Sequence, residues 1–268
     1  MSAPRPSADL LKSSSALVFS LLAFTLLAFA PACSSPGGGK AARGPGGTLD
    51  PKVEDLMRTI CDRVAATDAM SFTLVDYTDQ LDGDMKITYG HKRDILLSRP
   101  DKVRVRTRGD RARRSFYKDS ERITLVDHDH EVYAQLEHTG SVDEMMDMLW
   151  NKYGIATPLA DMLSSDPYQV FMGDAVASRY VGLHESDDGA SHHLVVALPY
   201  LEYQIWIGEA DGLLKKMIIS YPGQPGEPQY EVHVLDSRPV DQVDAAAFTA
   251  EIPEGFEQVD LAPLVAGN

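Results

Sequence analysis

Residues 94–136 read DILLSRPDKVRVRTRGDRARRSFYKDSERITLVDHDHEVYAQL. Apolar and polar side chains alternate through Asp94–Ser98, Lys102–Arg108, Arg113–Lys118, Arg122–Asp127 and Val132–Leu136, with turn-forming residues between the runs. Successive side chains of a strand point to opposite faces, so the pattern predicts a meander of short antiparallel strands with one buried face. The same period extends outward on both sides. Before the stretch it marks Ser71–Thr78 and Asp84–His91, joined by an Asp82-Gly83 turn. After it come Ala175–His184, His192–Leu198, Tyr203–Gly208, Leu213–Tyr221, Gln229–Asp236 and Phe248–Glu251. Four segments break the pattern with helical spacing. Asp50-Pro51 caps the first, and Val53, Leu56, Met57, Ile60, Cys61 and Val64 form its apolar stripe. Ser141–Tyr153 places Val142, Met145, Met146, Leu149 and Trp150 on one face, with Asp143 and Glu144 in the first turn, where the helix dipole favours acid. Pro158–Leu163 and Pro167–Met172 are shorter helices. About a dozen strands interrupted by helices predict a mainly β (α+β) fold, a curved barrel-like sheet covered by the helices.

The N-terminus has a separate logic. Arg5 and Lys12 precede an uncharged stretch, Ser13–Ala32, whose core ALVFSLLAFTLLAFA spans residues 16–30. That is the length of a signal-peptide core and shorter than the ~20 residues of a spanning helix. Ala30-Pro31-Ala32-Cys33 offers small residues beside a cut, and it resembles the lipobox of bacterial lipoproteins, with Ala30 where leucine is commoner. The resemblance implies a signal peptide over residues 1–32 and lipidation of Cys33. Several acyl chains would then anchor the protein, where one alone holds marginally. Ser34 stands where an inner-membrane retention signal would place Asp, so an outer-membrane lipoprotein facing the periplasm is expected. The competing reading is an ordinary cleaved signal with a cysteine nearby. Residues 34–48, SSPGGGKAARGPGGT, read as a flexible tether with an r.m.s. span of roughly 20 Å. Residues 49–264 contain no second linker and are expected to form a single domain.

Charge excludes some functions. The chain has 25 Lys and Arg against 40 Asp and Glu, net −15, and loss of Arg5, Lys12 and Asp9 with the signal leaves net −16. Such a chain repels anionic lipid and nucleic acid at long range, so a nucleic-acid role is not expected. Cys61 cannot pair with a lipidated Cys33 and sits in an apolar stripe, so no disulfide framework is expected. There is no Gly-x-Ser-x-Gly elbow, no His-Glu-x-x-His motif and no cysteine–histidine pair with a plausible nucleophile, since Cys61 lies in a helix stripe, so an enzyme is not expected.

Several blocks, among them RPDKVRVRTRGDRARRSFYKDSERITLVDHDHEVYA, KYGIATPLADMLSSDPY, SHHLVVAL, YQIWI and KKMIISYPGQPGEPQY, resemble in order a bacterial family of predicted periplasmic proteins. The resemblance runs from about Asp50 to Leu261. That family in turn is similar to lipoprotein carriers of the LolA and LolB type and to LppX-like lipid carriers. This likeness implies an unclosed, strongly curved antiparallel half-barrel with helices packed on the concave side as a lid. It also implies an acyl-chain ligand, from a lipid or a lipoprotein, and no cofactor or catalytic residues; a monomer is expected.

The likeness carries one residue over specifically. An arginine in an Arg-Pro step of such carriers bonds lid carbonyls, and Arg99-Pro100 stands at that position here. Pro100 favours extended geometry at Arg99, and a guanidinium serves several carbonyls at once. The other reading pairs Arg99 with Asp101 or Asp94. Met145, Met146, Met148, Met162 and Met172 enrich the expected lid in a side chain that adapts to irregular ligands, though core packing uses the same residues. Met145, Met146, Leu149, Trp150, Met162 and Trp206 are the expected cavity residues. For Trp206, which alternates with Ile205 and Ile207, a purely structural place in the core is the other reading. Arg104, Arg106 and Arg108 line one strand face in a segment, Arg99–Arg114, that carries eight basic residues and two acidic ones. They suit a phosphate or lipid headgroup, or else form a solvated outer face. Asp127-His128-Asp129-His130-Glu131 and His192-His193 offer metal-ligand chemistry without an identifiable third ligand from afar, so no metal site is expected.

Overall fold

The computed structural model describes residues 47–262, apart from 111, 156–158 and 188. The expected signal peptide, Cys33, most of the tether and Pro158 lie outside the described residues. Among the described residues, twelve strands form one sheet: β1 (Ala69–Asp82), β2 (Met85–Ser98), β3 (Lys102–Gly109), β4 (Ala112–Lys118), β5 (Arg122–Asp127), β6 (Val132–Glu137), β7 (Ala177–Ser186), β8 (Gly189–Ala197), β9 (Glu202–Gly208), β10 (Leu214–Ser220), β11 (Gln229–Pro239) and β12 (Glu257–Gln258). Their order across the sheet is β12-β6-β5-β4-β3-β2-β1-β11-β10-β9-β8-β7. The first and last strands do not pair with each other, so the curved sheet is an unclosed half-barrel. All neighbours are antiparallel except β12, which lies parallel to β6.

Burial follows the pleat. Phe72 and Leu74 on β1, Ile95 and Leu97 on β2, Val103 and Val105 on β3, and Ile205 and Ile207 on β9 point to the same buried side. Among the described residues four helices occupy it: α1 (Pro51–Ala65), α2 (Val142–Tyr153), α3 (Ala160–Leu163) and α4 (Pro167–Met172). Their side chains and those of the sheet make one continuous core. The Asp50 carboxylate caps α1 by accepting from Lys52 N at 2.9 Å. Helix α2 starts in a capping box, Ser141 with Glu144, and ends at Gly154 in the left-handed region, φ 65°, which spares its last carbonyls. Cys61 is buried in the α1 stripe, and burial pushes its thiol up to about 12, so it is an inert core group.

Three elements differ from the sequence reading. Strand β2 runs unbroken through Met85–Ser98, where two strands separated at Lys92–Arg93 are expected. The charged run stays in the ladder because Arg93, on the buried face, is paired with Asp76 of β1. Phe248–Glu251 is not a strand: Ala245–Phe248 forms a 3₁₀ turn that buries Phe248 against the outer side of the sheet, and the chain then runs to β12. Strand β12 itself is two residues long, too short for a periodic signal.

The two sheet edges are both modified. Along β7, Ser178 N donates to Thr48 O at 3.1 Å and Tyr180 N to the Asp50 carboxylate at 3.0 Å. An extra residue, Val181, then shifts the β7–β8 register. On the far side β12 pairs with β6 through Glu257 N to Glu131 O, 3.0 Å, and Val259 N to Tyr133 O, 2.9 Å.

Candidate functional site

The concave face is apolar over most of its extent and polar along one row. Strand register sets Arg93, Thr107, Arg114 and Asp127 side by side on β2, β3, β4 and β5. Arg93 donates through Nε and Nη2 to the two carboxylate oxygens of Asp76, at 2.5 and 3.2 Å, and through Nη1 to Thr107 Oγ1 at 3.0 Å. His91 Nδ1 lies 3.3 Å from the same carboxylate, which is 0% exposed. Arg114 Nε donates to Asp127 Oδ2 at 3.0 Å. Burial alone would raise the Asp76 carboxyl, but the hydrogen bonds of His91 and Arg93 and the Arg93 charge outweigh it and hold it below the usual range. Sequence reasoning misses this row. Its one signal is Asp76 in the series Met70, Phe72, Leu74, where a charge occupies a position of the buried face.

The short helices α3 and α4 are held by discrete polar contacts as well as by packing. Arg99 donates through Nη1 to Leu163 O at 3.0 Å and through Nη2 to Ser164 O at 2.9 Å, where α3 ends. The acids expected to compete for it are otherwise engaged, Asp101 by Lys102 at 2.9 Å and Asp94 by Arg108 at 3.4 Å. From α2, the Asp143 carboxylate accepts from Ser165 N at 3.1 Å. Tyr203 of β9 donates through its hydroxyl to Asp161 Oδ2 of α3 at 3.3 Å, and its ring stands edge-on to Phe171 of α4 with centroids 4.9 Å apart. The nearby Tyr230 hydroxyl is buried and makes no hydrogen bond among the described residues.

Burial lifts the Asp161 carboxyl above its usual range, although the Tyr203 hydrogen bond opposes the rise. A carboxyl whose pKa is higher when docked favours docking while protonated. That contribution is complete below the ordinary carboxylate pKa and is lost as pH climbs through the raised value. Hydrogen exchange of α3 and Ser164–Ser165, corrected for intrinsic rates, is therefore expected to accelerate as pH rises above about 4. In Asp161→Asn that pH dependence should vanish; an unchanged slope in the variant would remove Asp161 from the account.

Of the expected cavity residues, Met145 and Leu149 are 0% exposed and Met162 is buried, all within the core. Met146 packs against that core while partly exposed, and Trp150 is likewise partly exposed. Trp206 is a correction. It shares a face with its cross-strand partners His193 and Lys216, opposite to Ile205 and Ile207, and so points away from the concave side. There the His193 ring stacks on it at 4.1 Å and the Lys216 ammonium lies 5.1 Å from the ring centre. Period-two spacing places either Trp206 or the two isoleucines inside, and the isoleucines, without a polar atom, take the core. Arg104 is a second correction. Its Nη1 donates to Ala247 O at 3.1 Å beneath the 3₁₀ turn, so Arg104 is not free for a headgroup. Arg106 and Arg108 remain exposed on the outer face. His128 bonds Ser115 Oγ at 2.9 Å and His130 bonds Asp127 at 3.1 Å, while His192 bonds the Tyr180 hydroxyl at 3.0 Å, so these rings serve turns and strand contacts.

The described residues thus form an unclosed antiparallel half-barrel with helices on its concave side. Residues 53–262 match the family described as "Predicted periplasmic protein (DUF2092)", and the chain belongs to that family. Among curated proteins there is no match. Solved structures of similar form include an uncharacterised conserved protein from Thermus thermophilus, at 8% identity and TM-score 0.45, covering 78% of this chain and 99% of that one. A LolA superfamily protein from Nitrosomonas europaea is similar at 10% identity and TM-score 0.35, over 72% of this chain and 97% of its own. The Mycobacterium tuberculosis lipoprotein LppX is similar at 10% identity and TM-score 0.40, over 73% and 99%.

Proposed function

We propose that this protein is an outer-membrane lipoprotein, anchored through Cys33, whose half-barrel shelters acyl chains of a lipid or lipoprotein on its concave face. The observation that carries the reading is the way α3 and α4 are held. Four-residue and six-residue helices cannot stand alone, and here Arg99, Asp143 and Tyr203 pin them over an apolar surface through a few separable hydrogen bonds. Arg99 is the latch in this scheme: releasing two carbonyls frees the end of α3. Met145 of α2 and Met162 of α3 are both buried in the core, and methionine side chains repack around chains of varied shape. Binding would draw on apolar burial at ~25 cal/mol per Å², with lid opening governing entry and release.

A second reading, a non-catalytic tethered envelope domain with a permanently filled cavity, draws on the full burial of Met145, Leu149 and Leu163. Native mass spectrometry separates the two. The domain, secreted to the periplasm without its anchor, is expected to carry phospholipid or acylated peptide, and Arg99→Ala to lose it. A ligand-free mass, together with no uptake of fluorescent fatty acid, would establish the filled domain instead.

A further inference from the structure

Outside the half-barrel lies a cleft that the acyl-chain reading does not use. It has a volume of about 450 Å³ and sits on the outer face of β3 and β4. Arg106, Arg108 and Arg113 line it, with Ser115 at its floor. The β5–β6 turn supplies His128 and Glu131 as one wall, and Phe256, brought over the sheet by β12, supplies another. The His128 ring stands edge-on to Phe256 at 5.9 Å and accepts or donates a hydrogen bond with Ser115 Oγ at 2.9 Å.

The charge arrangement inside this cleft runs against the rest of the molecule. Arg108 and Arg113 are direct cross-strand partners, and Arg106 is the next residue along the same face. Like charges directly opposite each other in a sheet are destabilising. The chain carries 40 acids, and of these Asp94 and Glu131 line the cleft beside its four arginines, Arg106, Arg108, Arg113 and Arg114, the last of which is paired with Asp127. Arg108 reaches Asp94 only at 3.4 Å, with both side chains exposed, and Arg113 reaches Asp129 at 3.3 Å on an open surface and donates through Nη2 to His128 O at 2.9 Å. Arg106 lies opposite Asp94 and Ser115, but Asp94 is shared between Thr73 and Arg108. Exposed pairs of this kind contribute little. Three guanidinium groups around a concave floor that also holds a hydroxyl fit a tetrahedral oxyanion, which arginine binds in forked geometry.

We propose that this cleft binds a phosphate group, either free as a phosphomonoester or inorganic phosphate or as the headgroup of an anionic lipid. The site is independent of the concave face, so its failure would leave the acyl-chain reading standing, and the converse holds too.

The test uses the purified mature chain. Inorganic phosphate is titrated at low ionic strength and followed by chemical shifts of the Arg106, Arg113 and Ser115 amides. In parallel, phosphatidylglycerol vesicles are compared with phosphatidylcholine vesicles by co-sedimentation. Arg106→Gln is expected to weaken whichever binding occurs by about tenfold, the worth of one charge-assisted contact. Arg179→Gln, the same charge change outside the cleft on β7, should leave it unaltered. Saturable phosphate binding with this pattern supports a site that takes the free anion. Binding confined to phosphatidylglycerol vesicles with the same pattern supports the lipid headgroup as its source. Absence of both, or an equal loss in Arg179→Gln, overturns the proposal. Unchanged thermal unfolding of both variants will show that the substitutions act locally.

Discussion

Arg93→Ala is expected to lower the unfolding free energy by about 3–5 kcal/mol, because it strands the Asp76 carboxylate in the core without its bidentate partner. For a domain of this size each kcal/mol moves the midpoint by about 2–4 °C, so thermal unfolding should shift by roughly 6–20 °C. The double variant Asp76→Leu with Arg93→Met is expected to recover most of the loss, since it removes both charges rather than one. A single variant within about 1 °C of the parent would mean that the polar row is solvated. The linkage is signed as well. Asp76 has a folded-state pKa below its unfolded value, so its contribution is present above the ordinary carboxylate pKa and is lost as pH falls through the depressed one. Stability at acidic pH should therefore fall less steeply in the double variant than in the parent.

Phe171→Ala is the second large effect. Phe171 is 1% exposed, on α4, against the Tyr203 ring. Truncating a buried phenylalanine costs about 3–5 kcal/mol. Where that cost is felt distinguishes a lid from a core helix. With α3 and α4 as a separately opening unit, the amides of α3 and α4 should exchange about a hundredfold faster or more, while those of β1, β2 and β11 keep their protection. Exchange that accelerates equally throughout the sheet would make the helices part of the global fold and undo the lid account.

How much of this was legible beforehand depends on the type of signal. The meander from Lys102 to Leu136 and the stripe from Val53 to Val64 are periodic over many residues, and strands and helix appear there almost to the residue. Periodicity cannot say which side of an alternating strand faces inward when both carry large apolar groups. Trp206 shows this, because only the packing of β9 against the helices makes Ile205 and Ile207 the inner pair. Nor can local pattern report long-range partners. The capture of Arg104 by Ala247 spans 143 positions, and the pairing of Asp76 with Arg93 reads locally as two separate interruptions of apolar runs. The Arg99 contacts with Leu163 and Ser164 span 64 and 65 positions. No local pattern reports them, since an Arg-Pro step by itself says nothing of what lies opposite.

The modified edges of the sheet bear on how the domain can be handled. An open sheet offers two rows of unpaired amides and carbonyls, and each row is a template for another chain. Here both rows are occupied by segments that look dispensable: Thr48–Asp50 at the foot of a glycine-rich stretch, and Glu257–Val259 close to the C-terminus. A minimal domain drawn from the start of α1 to the end of β11 would discard both. It would keep every buried residue of the central cluster, Val53 to Val232, and lose the two stoppers that keep one half-barrel from continuing into the next.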